Sequence, residues 1–254
     1  MLQNIAGTFE TLGRYLAFLG EIARSIPKKP SRFTQVLADI EHLGVNSILI
    51  IFLSGAAMGM IFALQLVSFL QPLRMEIGSG AAVAIALSRE LAPVITTLML
   101  IAKNGSAMAA ELGTMKVTEQ IDALESMSIN TVHYLVLPKV IASFLVFPVL
   151  TLLANVVGII GAYIISVFLF NVDSAGYLDY LVNFVEPRDI YIGLVKAAVM
   201  GIITATICCF NGLRTTQGAR GVGDSATRAV VVSSVSILVA DYLLTTLMLP
   251  LVYK

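Results

Sequence analysis

The stretch from Leu43 to Leu73 reads LGVNSILIIFLSGAAMGMIFALQLVSFLQPL and contains no aspartate, glutamate, lysine or arginine. A second stretch, from Val140 to Val172, also lacks all four charged residue types. An α-helix needs about 20 predominantly apolar residues to cross the hydrocarbon core of a bilayer, so each stretch is long enough to span a membrane. The sequence therefore predicts a chain that crosses the membrane more than once.

The composition agrees with a membrane protein. Of the 254 residues, 57% are hydrophobic and 13% are charged, and the mean hydropathy is +0.90. Soluble domains carry about 25% charged residues. The formal net charge is zero, which argues against a nucleic-acid partner. Cys208 and Cys209 are adjacent, a spacing that suits neither a metal site nor an unstrained disulfide, so we expect packing residues and neither a metal nor a cofactor.

Hydropathy predicts an all-α fold with five spans. We expect Pro148 to kink the third span, which is too long for one straight crossing. Of the lysines and arginines outside the second span, eleven fall on the side of the N-terminus and four on the other, which predicts a cytoplasmic N-terminus and a C-terminus outside. The first to fifth spans are predicted at Gly44–Leu70, Ile77–Ala102, Thr131–Phe170, Ile190–Leu213 and Ala226–Leu251.

The N-terminal residues form a separate amphipathic pattern that ends at Pro27-Lys-Lys-Pro30. We expect residues 1–30 to form a helix that lies in the membrane interface, followed by a transmembrane domain over residues 31–254. The alternative is a helix packed on the protein's own cytoplasmic face. The apolar positions recur at steps of three and four residues: Leu2, Ile5, Phe9, Leu12, Leu16, Leu19, Ile22 and Ile26.

Small residues recur every four positions in several spans. In lipid no hydrophobic force drives helices together, so such stripes allow close backbone contact between helices. The stripes predict tight helix packing and say nothing of transport. They comprise Gly55, Gly59 and Ala63, then Ala154, Gly158 and Ala162, and finally Gly193, Ala197, Gly201 and Ala205.

Charged residues also occur inside the spans. Arg89 and Glu90 lie in the middle of the second span, where a charge costs about 2.5–3.5 kcal/mol. They must face protein or a wet cavity, which makes them a functional-site hypothesis. A structural ion pair to a neighbouring helix is the alternative. Asp241 in the fifth span is expected to be a structural carboxylate, with Arg89 and Lys196 as candidate partners.

A short charged segment, Glu111–Glu125, separates the second and third spans. Thr118 is expected to cap a helix there, and Ile121 and Leu124 share one face of it. A helix of about ten residues is not stable alone and needs a docking surface, either on its own bundle or on another protein. The chain contains no phosphate-binding G-x-x-x-x-G-K-[ST] motif, so any ATP that powers it is bound by another chain.

The chain contains three distinctive motifs. They are Arg89–Thr97, Ala109–Leu124, and the segments Gly212–Thr215, Gly221–Gly223 and Thr227–Val231. These motifs resemble those of the MlaE/YrbE permeases, the membrane subunits of ABC transporters that move phospholipids with MCE-domain proteins. The resemblance implies a homodimeric permease of five spans with an N-terminal interfacial helix. It also implies an ATPase subunit on the cytoplasmic side, an MCE-domain lipid-binding protein outside, and a Gram-negative inner membrane whose system maintains outer-membrane lipid asymmetry.

The resemblance implies two sets of site residues. The coupling segment, about residues 107–128, would dock in the ATPase cleft through Glu119, Gln120, Ile121, Asp122 and Leu124. A lipid site would use Arg89 and Glu90 with apolar residues of the outer half of the first span, Leu66, Phe69, Leu70 and Leu73. Nothing indicates an enzyme. The alternatives are a proton-coupled secondary transporter that uses Glu90 and Asp241, and a membrane scaffold without transport.

Overall fold

The computed structural model describes residues 2–26 and 33–252, without the side chains of residues 2–9, 249, 251 and 252. All regular structure in these residues is helical. Helix α1 is Leu2–Ser25, α2 is Phe33–Gly44, α3 is Ile48–Leu70, α4 is Ser79–Ala86, α5 is Ala92–Leu100, α6 is Ser106–Val117, α7 is Gln120–Ser126, α8 is Leu137–Ile164, α9 is Ser174–Phe184, α10 is Pro187–Leu213 and α11 is Gly218–Val252.

Within the described residues, five helical segments are long and apolar enough to cross a membrane, as the sequence predicts. The first, second and fifth begin or end well outside the predicted apolar cores, because hydropathy detects only the part of a helix suited to hydrocarbon. The third and fourth agree with their predicted bounds to within a few residues. The chain is therefore an all-α polytopic membrane protein. The segments are Phe33–Leu73, Glu76–Val117, Val132–Leu169, Pro187–Leu213 and Gly218–Met248.

The third of these segments contains Pro148, yet helix α8 continues through it from Leu137 to Ile164. A π-helical turn, Val132–Val136, precedes Pro138 at the start of the segment. Three more π-helical turns occur in the described chain, at Leu87–Leu91, Ile101–Gly105 and Ile165–Leu169. Such turns are rare and often lie at functional sites.

The chain divides into two compact units, each assembled from three stretches of sequence. The first unit comprises residues 1–42, 101–143 and 202–235, and the second comprises residues 43–100, 144–201 and 236–254.

In the first unit, helix α1 packs one face on its own chain. The Tyr15 hydroxyl lies 2.8 Å from Thr206 Oγ1, and the rings of Tyr15 and Phe18 contact Phe210 at 5.3 and 5.6 Å between centroids. Burial raises the pKa of Tyr15, so its hydroxyl stays neutral at ordinary pH. Leu12 and Leu16 remain exposed beside this face. The interfacial position of α1 stays a prediction, and the expected end at Pro27–Pro30 lies outside the described residues.

In the second unit, the small-residue stripes of α3 and α8 pack against each other. A Cβ built on Gly55 would lie 3.0 Å from the Cα of Ala154, and one on Gly59 would overlap the carbonyl of Gly158. A Cβ on Gly193 of α10 would likewise overlap the carbonyl of Ser88. The prediction that these stripes pack helices closely is confirmed.

We expect Gly59→Ala to destabilise the protein by about 1–3 kcal/mol, because the added methyl group forces the backbones of α3 and α8 apart. The apparent melting temperature in detergent micelles measures this effect. Gly223→Ala is the matched control, since a Cβ on this exposed helical glycine meets nothing within 4 Å. Equal melting temperatures for the two variants would contradict the close contact.

Candidate functional site

The sequence around Arg89 interrupts the regular α-helical hydrogen bonding of its own helix. Residues Leu87–Leu91 form a π-helical turn, and Pro93 follows it. Proline has no backbone N–H, so the carbonyl of the residue four positions earlier, Arg89, loses its ordinary helical partner. Lys196 Nζ donates a hydrogen bond to that carbonyl at 3.2 Å. A side chain of α10 thus satisfies a backbone group that the proline leaves open.

Lys196 is the centre of the site. Its ammonium also donates to Glu90 Oε2 at 2.5 Å and to Thr245 Oγ1 at 2.6 Å. Because an ammonium has three protons, these three acceptors use all of them. Asp241 Oδ1 lies 3.2 Å away as an ion pair without a hydrogen bond. The Lys196 side chain has 0% exposure, so its charge is compensated by protein groups alone.

Arg89, which directly precedes Glu90 in the same π-helical turn, forms a second ion pair. Its Nε and Nη2 both lie 2.7 Å from Asp189 Oδ1. Asp189 is buried in the first turn of α10, where the helix dipole favours a negative charge, and its Oδ2 accepts from the backbone N–H of Glu186 at 3.2 Å. The π-helical turn thereby directs two consecutive side chains, Arg89 and Glu90, to residues seven apart on α10.

We call Arg89, Glu90, Asp189, Lys196 and Asp241 the central charge cluster. With all five ionised, three carboxylates face two cations, so the cluster carries one net negative charge. Its interior is buried, but the side chains of Arg89 and Glu90 are 31% and 40% exposed. The cluster therefore presents a cation and an anion side by side at an accessible edge.

The structure chooses between the candidate partners of Asp241. Lys196 pairs with it, whereas Arg89 pairs with Asp189. The sequence prediction counts Lys196 among the four charges on the side opposite the N-terminus. That assignment is wrong, since this residue lies buried within α10. A lysine in an apolar segment needs a carboxylate partner, and that requirement overrides its value as an orientation signal.

The predicted apolar lipid residues occupy the end of α3 and the turn after it. Phe69 and Leu73 are exposed, and Leu66 and Leu70 are partly buried. Leu66 packs against a core formed by Ala63, Val83, Leu87 and Ala162. Nearer the middle of α3, a cavity of about 10 Å³ lies between Gly55, Leu87, Thr96 and Ala154. It has the size of one water molecule and is far too small for a phospholipid.

The predicted coupling residues form a helical hairpin, α6 followed by α7. Ile121 is buried, and Lys116 Nζ lies 2.5 Å from Asp122 Oδ1. One face of α7 therefore docks on its own chain, while Gln120, Asp122 and Glu125 remain exposed.

The predicted cap of this helix is wrong. Thr118 ends α6, its hydroxyl donates back to Thr114 O at 2.8 Å, and Glu119 occupies the N-cap position of α7 with a left-handed φ of 61°. The burial of Ile121 and the Lys116–Asp122 pair hold this uncommon conformation, for which the local sequence has no signal.

Sequence reasoning missed a second buried cluster, in the first unit. Lys139 Nζ lies 2.8 Å from Glu111 Oε2 and 3.6 Å from Asp39 Oδ1. Lys139 and Asp39 are buried and Glu111 is half-exposed. The cluster ties α6, α8 and α2 together. The signal in the sequence that could have indicated this cluster was Lys139, a charged residue directly after Pro138 at the start of an apolar span.

Comparison with known proteins decides the family. A model of the family described as permease MlaE matches residues 36–247. The chain belongs to the MlaE permease family. A probable ABC transporter permease protein of Rickettsia bellii is 36% identical over 255 residues, which cover 97% of this chain and 98% of that protein. The intermembrane phospholipid transport system permease protein MlaE of Haemophilus influenzae is 35% identical over 249 residues, with coverages of 97% and 95%.

A chloroplast protein is also similar to this chain. The protein TRIGALACTOSYLDIACYLGLYCEROL 1, chloroplastic, of Arabidopsis thaliana is 37% identical over 227 residues, covering 89% of this chain and 65% of that protein. The resemblance seen in the three motifs is thus confirmed, and the chain is an ABC transporter permease of the MlaE family. Every residue of the central charge cluster lies within the matched region.

We expect Lys196→Met to lower the free energy of unfolding by about 3 kcal/mol. This value is at the lower end of the range for breaking a buried ion pair, because Glu90 is partly exposed. The variant leaves two carboxylates without their cation. Chemical unfolding in detergent measures the loss. The control is the triple variant Lys196→Met, Glu90→Gln and Asp241→Asn, which leaves no uncompensated charge and should recover most of the stability. A triple variant no more stable than Lys196→Met would show that charge pairing is not what Lys196 contributes.

Proposed function

We propose that the chain is the permease subunit of an ATP-driven transporter that moves phospholipids between the inner and outer membranes of a Gram-negative bacterium. The observation that carries the proposal is that Arg89 and Glu90 form an accessible edge of the central charge cluster, whose other residues are less exposed. Both residues lie in the region that the model of the MlaE family matches. The Haemophilus influenzae relative is named for intermembrane phospholipid transport. A buried structural cluster would not need to leave a cation and an anion accessible.

The chemistry of a phospholipid suits this edge. The Arg89 guanidinium offers donors to a phosphate, and the net negative charge of the cluster favours an ammonium group near Glu90. Phe69 and Leu73 offer exposed apolar surface to acyl chains, together with the partly buried Leu66 and Leu70. An apolar wall does not discriminate between lipids by shape, so headgroup selection is weak.

The lipid site is completed by a second copy of the chain. The exposed side of α3 carries Gln65 among Leu53, Ile61 and Leu64, and an amide is expensive to leave in lipid. Helix α11 instead exposes an apolar face of Val235, Leu238, Val239, Tyr242 and Leu243, which suits lipid. We therefore place α3 at the two-fold axis of a homodimer and α11 at its periphery. The lipid cavity lies between the two copies.

The ATPase binds the α6–α7 hairpin. The second spanning segment is 42 residues long, about twice what one crossing needs, so its charged end has no need to lie in hydrocarbon. The docked α7 presents Gln120, Asp122 and Glu125 to a partner, while Ile121 and the Lys116–Asp122 pair hold its orientation. Leu124, which is partly buried, borders the same face.

The remaining assembly follows from the family resemblance and the charge distribution. An MCE-domain protein receives or delivers lipid outside the inner membrane. The N-terminus is cytoplasmic and the C-terminus periplasmic, which puts the α6–α7 hairpin on the side of the ATPase.

The excess carboxylate of the central cluster favours one other mechanism, proton coupling through Glu90 and Asp241. Lipid transfer that proceeds without ATP and follows an imposed pH gradient would support that mechanism instead.

For the lipid site, we expect Arg89→Ala and Glu90→Ala each to slow lipid transfer about tenfold or more, because a charged hydrogen bond contributes about 1.5–3 kcal/mol. Leu70→Arg should block entry of the acyl chains. Transfer between labelled vesicles by the assembled transporter is measured with ATP, alongside native mass spectrometry of bound lipid. Thr245→Val is the control, since it removes a hydroxyl that bonds Lys196 and Glu90 but keeps both charges of the exposed edge. If Thr245→Val slows transfer as much as Arg89→Ala, the cluster is structural.

For the ATPase, we expect the double variant Glu119→Lys and Asp122→Lys to lose ATPase co-purification while the chain still inserts and dimerises. The exposed acidic surface of α7 is reversed, so electrostatic complementarity with the partner is lost. Lys116→Gln is the control, because it breaks the internal pair with Asp122 and keeps the acidic surface. Unchanged co-purification of the double variant would overturn the coupling assignment.

A further inference from the structure

Helix α9, Ser174–Phe184, connects the third and fourth spanning segments. Only residues 170–173 precede it and only residues 185–186 follow it before α10 begins. Asp173 caps it, since Asp173 Oδ2 accepts from the backbone N–H of Gly176 at 2.7 Å. An extended chain advances at most about 3.6 Å per residue, so the end of α9 lies within about 11 Å of the first residue of α10. The helix cannot move far from the membrane surface.

One side of α9 is fixed to the second unit. Tyr177 is fully buried, and its ring lies so close to Gly80 of α4 that a Cβ there would overlap it. Tyr177 forms a core with Val67 of α3 and Val172, and Leu181 packs against that core. The helix therefore lies along the ends of α3 and α4 with a defined rotation.

The other sides of α9 differ in polarity. At 100° per residue, Leu178 and Val182 form one flank beside the Tyr177 side, and Tyr180 and Phe184 form the other. The rings of Tyr180 and Phe184 stack at 5.3 Å. All four are exposed, with Val182 at 74%. Asp179 and Asn183 are exposed opposite Tyr177. Two apolar flanks and one polar ridge describe a helix at the boundary between lipid and water.

We propose that α9 lies in the lipid headgroup layer, with its two apolar flanks in contact with the acyl chains and Asp179 and Asn183 in water. The spanning helices that it joins also expose aromatic residues where they approach it, Phe168 and Tyr191, as expected of residues at a membrane interface. Asp179 is the only charged residue within α9, and Asp173 and Glu186 flank it. The attraction is therefore apolar and independent of anionic lipid.

The absence of tryptophan from the chain allows a direct test. Val182→Trp and Phe184→Trp each place one tryptophan on one of the two apolar flanks. Asn183→Trp, at the position between them in the sequence, places the tryptophan on the polar ridge. The full chain is reconstituted in phosphatidylcholine vesicles without partner proteins. Bromine atoms on the acyl chains near the carbonyl end quench tryptophan at shallow depth, bromine near the terminal methyl quenches at the centre, and iodide quenches in water.

We expect both flank variants to lose more than half of their emission to the shallow bromolipid and less to the deep one, and to resist iodide. Asn183→Trp should show the reverse, quenching by iodide with little effect of either bromolipid. Adding anionic lipid should leave the pattern unchanged. Iodide quenching of the flank variants without bromolipid quenching would place α9 in water. Resistance of the flanks to both quenchers would show that protein, such as a second copy, covers them. Either result overturns the proposal, and neither depends on lipid transport.

Discussion

The buried ammonium of Lys196 is the constraint on which the second unit depends. A fully buried charge in an apolar helix is tolerated only with compensating groups, and here these come from two other segments. Glu90 and the Arg89 carbonyl belong to the π-helical turn after α4, and Asp241 and Thr245 to α11. Each partner is specified by distance and direction, so the cluster sets the register of three helices. An apolar contact could not do this, because one apolar surface fits another at many offsets.

The small-residue stripes provide close approach, and the charge cluster provides direction. Gly55 and Gly59 let α3 approach α8 until backbone meets backbone, and Gly193 does the same for α10 at Ser88. In lipid this packing replaces the hydrophobic effect that holds a soluble core together. Ser88 precedes Arg89 directly, so the closest approach of α10 and the ion pairs occur at the same place. The cluster is accordingly tightly packed on its inner side and most accessible at Arg89 and Glu90.

The first unit contains a cluster of similar design. Lys139 joins Asp39 of α2 to Glu111 of α6, and α6 leads directly into the α7 hairpin. The hairpin is short and would not be stable alone. It is held by the burial of Ile121 and by the Lys116–Asp122 pair, and its acidic side is exposed.

Hydropathy and spacing are local properties of the chain, so the sequence alone predicts the class, the number of spans, the small-residue stripes and the need of Arg89, Glu90 and Asp241 for protein partners. It could not identify those partners. Arg89 and Asp189 are a hundred residues apart, and only the packing of helices brings them together. Thr118 was the expected cap by residue preference, but burial of Ile121 shifted the turn to Glu119. Helix α9 went unnoticed between two spans, since its pattern becomes meaningful only once Tyr177 is seen to be buried. Tertiary structure decided these points because each depends on distances between residues, which no local pattern contains.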